Sequence, residues 1–393
     1  TFPHSQAVGL ATIAGFLISS EPKRFPSGRE ARLALALWAL FAVSTFFALE
    51  PELATDKLIF VSKLFLMMFL CAVIVNTPDR LHWLVRVVAL SLGFHAVKLG
   101  LFVLATGFQQ KAYGPEETYL AQENAIGIAL AANVPLLVYL LRVERARWLR
   151  GVVAAMGCLS YPAVVGTFSR GAWVSLAAVS ALLLLQSRRR GLAIALVLIV
   201  AIVGLGSLDQ MMSERVASRW GDLVNWEADS SAESRFWNWE FCRRVGLARP
   251  FGGGFDLYSV AAYLRFYPEF VERWPGKVWV CHSIWFELLA EHGVLGLLLG
   301  AGLLGSCVLT LRRLQKETRK HGQPSRVGEL APMVVVAFVG FMTGGTFLDV
   351  AYHELLYQLL VMVIIARAVW RTETSPTVAR GGRDVLDTAK PAG

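Results

Sequence analysis

The chain has 393 residues, of which 55% are hydrophobic and 17% charged, well under the roughly 25% charge of soluble domains. Its apolar residues fall in blocks of about 17–25, long enough to cross a bilayer as helices, which excludes a soluble globular fold. The 38 Lys and Arg outnumber the 29 Asp and Glu to give +9, but they are scattered over short loops and form no single stripe, which argues against a nucleic-acid surface.

Taken in chain order, the apolar runs predict eleven spans, near 5–20, 31–49, 58–76, 83–106, 125–141, 151–168, 172–186, 191–208, 284–311, 331–348 and 353–370. The connections alternate in charge. Lys23, Arg24 and Arg29 follow the first span, four arginines lie in 142–150, Arg188–Arg190 follow the seventh span, and six basic residues lie in 312–326. Residues 48–57 hold only Lys57, 107–124 only Lys111, and 349–352 no basic residue. The positive-inside rule puts the basic set in the cytoplasm, and one parity satisfies every loop. The C-terminus is then inside and Thr1 outside. No cleavable signal peptide is visible. The chain begins without Met and its first apolar block is short, so further N-terminal residues are expected; one more span there would give twelve.

The fold expected is therefore all-α, a polytopic transmembrane bundle. It divides into helices over 1–208, a long outer loop over 209–282, further helices over 283–371 and a disordered cytoplasmic tail over 372–393. The outer loop is too long for a linker. It is rich in aromatic residues, which suit the headgroup level of a bilayer, and it nearly balances nine Lys and Arg against ten Asp and Glu. Helices are expected over 232–245 and 256–266. Pro250 ends the first, 252–254 form a flexible turn, and Pro268, Pro275 and Gly276 break the rest. Cys242 and Cys281 both lie in this loop. They pair if it faces an oxidising compartment, or they stand as buried thiols; both readings are open.

Several residues have the chemistry of a site. Arg170, in the turn Gly166-Thr-Phe-Ser-Arg-Gly171, is either an interfacial arginine with its head in water or an anion ligand with a planar donor fork. Arg235 opens the first loop helix, and Arg265 has a similar status; alone, each reads as a surface arginine. His282 stands where the chain re-enters the membrane and has the chemistry of a general base, although a lone interfacial histidine is more often structural. Glu287 and Glu291, one helical turn apart in an apolar run, form either a buried pair or an interfacial polar face. Lys63 and Lys98 lie in the outer halves of their spans, where ionisable residues usually face a cavity. Asn124 and His353 start the fifth and eleventh spans on the same side. No Walker motif, no Asp-x-Asp on the outer side and no Cys/His metal cluster occurs. Group transfer outside the cytoplasm then needs a pre-activated, membrane-borne donor, and a pyrophosphate held by Arg and Lys fits.

The ordered set Thr-x-Ser-Arg-Gly at 167–171, Ser-Arg-x-x-x-Trp from Ser234, Pro-Phe-Gly-Gly-Gly-Phe at 250–255 and His-Ser-x-x-x-x-x-Leu-Ala-Glu-x-Gly-x-x-Gly from His282 resembles the O-antigen ligase and polymerase superfamily. Residues 114–124 are similar to O-glycosylation ligases found beside exosortase systems. The resemblance implies a GT-C-like fold in a bacterial inner membrane, with the active site facing the periplasm. It implies inverting, metal-independent transfer of a glycan from undecaprenyl pyrophosphate to an acceptor hydroxyl, with no cofactor. In O-antigen ligases the acceptor is the lipid A–core oligosaccharide; a polymerase would use a second lipid-linked glycan, and a protein O-oligosaccharyltransferase a protein. A transporter of lipid-linked glycans is the non-enzymatic rival, but its charges would be expected at mid-membrane or on both sides. The resemblance assigns Arg170 and Arg235 to the donor pyrophosphate and His282 to the acceptor hydroxyl as base. Ser283 departs from the Asn that follows this His in many members.

Overall fold

A computed structural model describes residues 4–116, 118–186, 230–322 and 325–374. The described residues are helical and contain no strand. In chain order the helices are α1 (His4–Ile18), α2 (Arg29–Phe46), α3 (Pro51–Ile74), α4 (Pro78–Ala105), α5 (Glu123–Val143), α6 (Arg147–Val165), α7 (Arg170–Gln186), α8 (Ser230–Ala248), α9 (Val260–Phe266), α10 (Pro268–Arg273), α11 (Ile284–His321), α12 (Arg326–Gly345) and α13 (Glu354–Glu373).

Seven of them, α3 to α6 and α11 to α13, are long and apolar enough to cross a membrane. The other expected spans fare differently. Helix α2 carries Arg29, Glu30 and Arg32 in its 18 residues, and α1 and α7 are shorter apolar helices. The predicted span 191–208, the Arg188–Arg190 turn and most of the tail lie outside the described residues.

Helix α5 is the centre of the bundle. Its residues from Ala125 to Val134 are buried on every side, which is why they are apolar around the whole circumference and not along one stripe. It packs against α4, α6, α7 and α12. Small residues bring the axes close. A Cβ at Gly100 of α4 would stand 2.5 Å from the Leu159 carbonyl of α6, and one at Gly344 of α12 would stand 2.6 Å from Ile128 of α5. Contacts of this kind hold helices together in lipid, where the hydrophobic effect gives no preference for a helical partner over an acyl chain.

The two ends of the bundle differ in character. At one end ion pairs staple the helices: Arg80 to Glu21 at 2.6 Å, Arg142 to Glu329 at 3.6 Å, and Arg326 to Asp79. Glu30, only 1% exposed, accepts hydrogen bonds from Ser306 (2.8 Å), Thr310 (2.6 Å) and Arg367. Paired in this way, a buried carboxylate is tolerated. The connections that are poor in Lys and Arg gather at the opposite end. There Leu49 N–H donates to Gly253 O at 2.7 Å and Ala112 N–H to Gly166 O at 2.8 Å.

Residues 230–283 build a small aromatic core of their own around Phe241, Val245, Tyr263 and Phe270. The Phe241 and Tyr263 rings stack 3.8 Å apart. Most of these rings therefore pack on one another and do not face headgroups; Phe236, 54% exposed, is an exception. Pro268 starts α10 where a break was expected, because proline at the first helical position loses no hydrogen bond. Cys242 and Cys281 form a disulfide that closes this core. Reducing it, or replacing Cys242 with Ser, is expected to cost about 2–4 kcal/mol of stability, read as a lower unfolding temperature of the purified protein with reductant than without.

Candidate functional site

The site forms around a break in α11. Gly293 has φ 68° and ψ −172°, outside the helical range, so the helix stops after His292 and restarts. Breaking a helix frees backbone groups that must find partners in an apolar setting. The loop Pro250–Phe255 supplies them: Gly253 N–H donates to Ala290 O at 2.8 Å and Gly254 N–H to Glu291 O at 2.9 Å. The glycines are needed for this approach. A Cβ at Gly252 would stand 2.4 Å from the Glu291 carbonyl, and one at Gly293 would stand 2.2 Å from Pro250 O. The expected flexible turn is thus a fixed wedge.

Just before α11, His282 has φ 49°, a left-handed conformation that is rare and strained for a residue with a side chain. Its neighbours hold it. Cys281 is tied through the disulfide and accepts a hydrogen bond from Tyr258 Oη at 3.3 Å, and Ser283 N–H donates to Asp349 Oδ1 at 3.3 Å. The other oxygen of Asp349 lies 3.3 Å from His282 Nδ1. With Nδ1–H pointed at Asp349, the proton-accepting nitrogen is Nε2.

The turn 346–353 is pinned by the first part of α11. Glu287 accepts from Ala351 N–H at 3.0 Å, and Glu291 accepts from Tyr352 Oη at 2.5 Å. Burial pushes the Tyr352 hydroxyl well above its usual range, so it donates at neutral pH. Its oxygen lies 2.7 Å from His292 Nε2, and His292 Nδ1 lies 2.6 Å from Ser44 Oγ, whose own hydrogen is donated to Phe41 O at 2.9 Å. This chain of bonds joins α2, α11 and the turn. The two glutamates are accordingly a buried pair that shapes the site.

A cavity of about 390 Å³ opens beside His282. Lys57, Asp256, Asp349 and His353 are among its lining residues. Lys57 lies 3.9 Å from Asp256 and over the rings of Tyr119 and Tyr352. Among the described residues, no group of three or more His, Cys, Asp or Glu is arranged to hold a metal ion.

The other expected site residues fall in three groups. With Glu287 and Glu291, His353 lines the cavity together with His282. Arg170 and Arg235 are half-buried and sit on flanking elements. Helix α7 starts at Arg170, and a Cβ at the next residue, Gly171, would stand 3.4 Å from Gly344 O. A Cβ at Gly345 would stand 3.7 Å from Ile284, two residues after His282. The turn of Arg170 and the start of α11 thus pack on the same end of α12. Arg235 is one helical turn before Trp239, which stacks on Phe286 of α11 at 5.2 Å. Asn124 is half-buried at the start of α5, between cavity residues Gln122 and Ala125. Lys63, Lys98 and Arg265 are exposed and line no part of the cavity. For Lys63 and Lys98 this corrects the expectation of an inward orientation: depth was read from the sequence, but azimuth was not. Sequence reasoning missed Asp349 and Tyr352 as site residues. The available signal was an acidic residue in a short turn at the same end as His282.

Comparison with known families gives two matches. Residues 154–301 match the family described as O-antigen ligase, and residues 1–145 match a family of unknown function, DUF5935. No curated protein matches the chain.

Proposed function

From membership of the O-antigen ligase and polymerase superfamily, carried by residues 154–301, we propose that this protein transfers a glycan from undecaprenyl pyrophosphate to an acceptor hydroxyl, as an O-antigen ligase of lipopolysaccharide biosynthesis whose acceptor is the lipid A–core oligosaccharide. The end of the bundle that holds His282 faces the periplasm of a bacterial inner membrane. The observation that carries this reading is the pairing of His282 with Asp349 beside the cavity, at the end where the arginine turn and the loop helix also meet α11 and α12.

In the proposed step the acceptor O–H gives its proton to His282 Nε2 as the oxygen attacks the anomeric carbon from the face opposite the leaving group. The new C–O bond inverts the centre. The bond from the anomeric carbon to the phosphate oxygen breaks, and its electron pair leaves with undecaprenyl pyrophosphate. Asp349 holds the imidazole in the required tautomer and stabilises the imidazolium. Arg170 and Arg235 stabilise the charge that develops on the pyrophosphate, a preorganised electrostatic role that needs no metal.

The test is reconstitution of the full chain with an undecaprenyl-pyrophosphate glycan and candidate acceptors, in the presence of a chelator. Glycosylated acceptor is expected. Lipid crossing the bilayer with no product from any acceptor would favour a transporter instead. Arg170→Ala and Arg235→Ala are each expected to lower kcat/KM for the donor by about 10²–10³-fold, as for loss of one charge-stabilising donor. Arg170→Lys should recover part of the loss, since it restores charge without the planar fork. Unchanged donor kinetics in both alanine variants would remove the arginines from the mechanism.

A further inference from the structure

Past its break, α11 runs to the opposite, ion-paired end of the bundle and finishes there in Arg312, Arg313, Lys316, Arg319 and Lys320. One side of this last part faces the bundle: Leu311, Leu314 and Thr318 are buried. Arg312, Lys316, Arg319 and Lys320 are exposed on another side, where with Gln315 they line a shallow cleft of about 410 Å³. The lining holds no carboxylate among the described residues. Other cations at this end are matched: Arg80, Arg142, Arg326 and Arg367 each meet an Asp or Glu. Like charges one helical turn apart, as in Arg312, Lys316 and Lys320, weaken a helix unless a counter-charge is near. A helix C-terminus favours cations within its last turn, which accounts for Arg319 and Lys320 and not for Arg312 and Lys316.

Two further observations identify the counter-charge. The first is depth. Thr318 packs on α12 at Gly328, where an added Cβ would stand 3.0 Å away, just where α12 passes from Arg326 and Glu329 into its apolar run. Trp370 Nε1 of α13 donates to Glu317 Oε2 at 2.9 Å, and tryptophan favours the headgroup level. The cations therefore lie at that level. The second is what continues this side of α11 toward the middle of the membrane. Leu298, Gly302, Gly305 and Leu309 precede Arg312 and Lys316 at helical spacing. Both leucines are exposed, and a Cβ at either glycine would meet nothing within 4 Å. This side faces lipid along the apolar stretch, and the cations stand where the phosphates of that lipid lie.

We propose that this side of α11 binds a phospholipid with a net-anionic headgroup, from the leaflet at the ion-paired end. Its acyl chain lies along Leu298, Gly302, Gly305 and Leu309, and its phosphate meets Arg312, Lys316, Arg319 and Lys320. Basic clusters at the edge of a membrane helix attract anionic headgroups in this way. A soluble anion would use the cations alone, whereas a lipid uses the apolar continuation as well. The inference does not depend on the transferase reading.

The test measures retained lipid and needs no turnover. The full chain is reconstituted in vesicles of phosphatidylcholine with a minor share of phosphatidylglycerol and re-extracted in mild detergent, and its bound lipids are identified by native mass spectrometry. Phosphatidylglycerol is expected to be enriched over phosphatidylcholine, and the enrichment should fall with ionic strength, since salt screens exposed charges. Each cation near a lipid surface is worth about fivefold, so Lys316→Gln with Lys320→Gln should lower the enrichment roughly 10–30-fold. Both side chains are exposed, so the unfolding temperature should stay unchanged. Arg145→Gln with Arg147→Gln removes the same charge from exposed positions at the same end and should leave most of the enrichment. If this control loses as much as the Lys316 and Lys320 variant, the effect belongs to the net charge of that end and the proposal is overturned. Equal retention of the two lipids by the wild type, or unchanged enrichment in the Lys316 and Lys320 variant, overturns it too. Inorganic phosphate at constant ionic strength should not displace the lipid; displacement would make the cleft a site for soluble anions, and the proposal would fail.

Discussion

Replacing His282 with alanine is expected to lower glycan transfer by about 10²–10⁴-fold, the range for loss of a positioned general base, while the donor still binds with near-normal KM. The geometry supports a role in the chemical step and not in donor binding. His282 meets Asp349 through Nδ1 at 3.3 Å, leaving Nε2 on the side available to a hydroxyl, and neither arginine shares the cavity with it. Asp349→Asn tests the same point with less damage. The amide would offer an N–H toward Nδ1, favour the other tautomer and leave Nε2 protonated, so that it can no longer accept a proton. Its loss of kcat should approach that of His282→Ala, and the double variant should be little worse than either single one, because the two residues act as a unit. Single-turnover transfer with purified variants, with donor binding measured in parallel, provides the check. Wild-type rates in His282→Ala would remove the base from the mechanism.

Gly293→Ala is expected to be the most damaging small change to stability. Two costs add. Values of φ 68° and ψ −172° lie in a region that essentially only glycine occupies, a penalty of about 1–3 kcal/mol for any other residue. In addition, the new methyl would stand 2.2 Å from Pro250 O, which is backbone already committed to the wedge. The wedge cannot retreat without giving up the bonds from Gly253 and Gly254 that satisfy the broken helix. A combined loss of roughly 3 kcal/mol or more is expected, seen as a sharply lower unfolding temperature or a poor yield of folded protein. Gly302→Ala is the control. It lies later in the same helix with nothing within 4 Å of a new Cβ, so it should be neutral or slightly stabilising. Equal unfolding temperatures for the two variants would mean that the break is not rigidly packed.

The contrast between these glycines shows where sequence reading stops. Both belong to the predicted ninth span and read alike as small residues in an apolar run. Only the contact with Pro250, 43 positions away in sequence, distinguishes them. Asp349 was equally hidden. It was read as part of a short turn without basic residues, and its value comes from meeting a histidine 67 positions earlier. Disulfide pairing of Cys242 and Cys281 was one of two open readings, and the fold of the aromatic loop decided between them.

The sequence by itself determined where the apolar helices lie, which connections share an end of the bundle, and that His282 belongs at that end. Hydropathy and charge are properties of single segments, so they can be read along one chain. The tertiary structure decided which way each side chain faces and which distant residues meet. In a membrane the lipid-facing and buried sides of a helix are both apolar, so the amphipathic period that reveals orientation in soluble proteins is weak. Lys63 and Lys98, expected to face a cavity, are exposed and line no part of the one beside His282 for this reason, while Asp349, Tyr352 and the break at Gly293 emerged only when α11 was packed against the turn and the wedge.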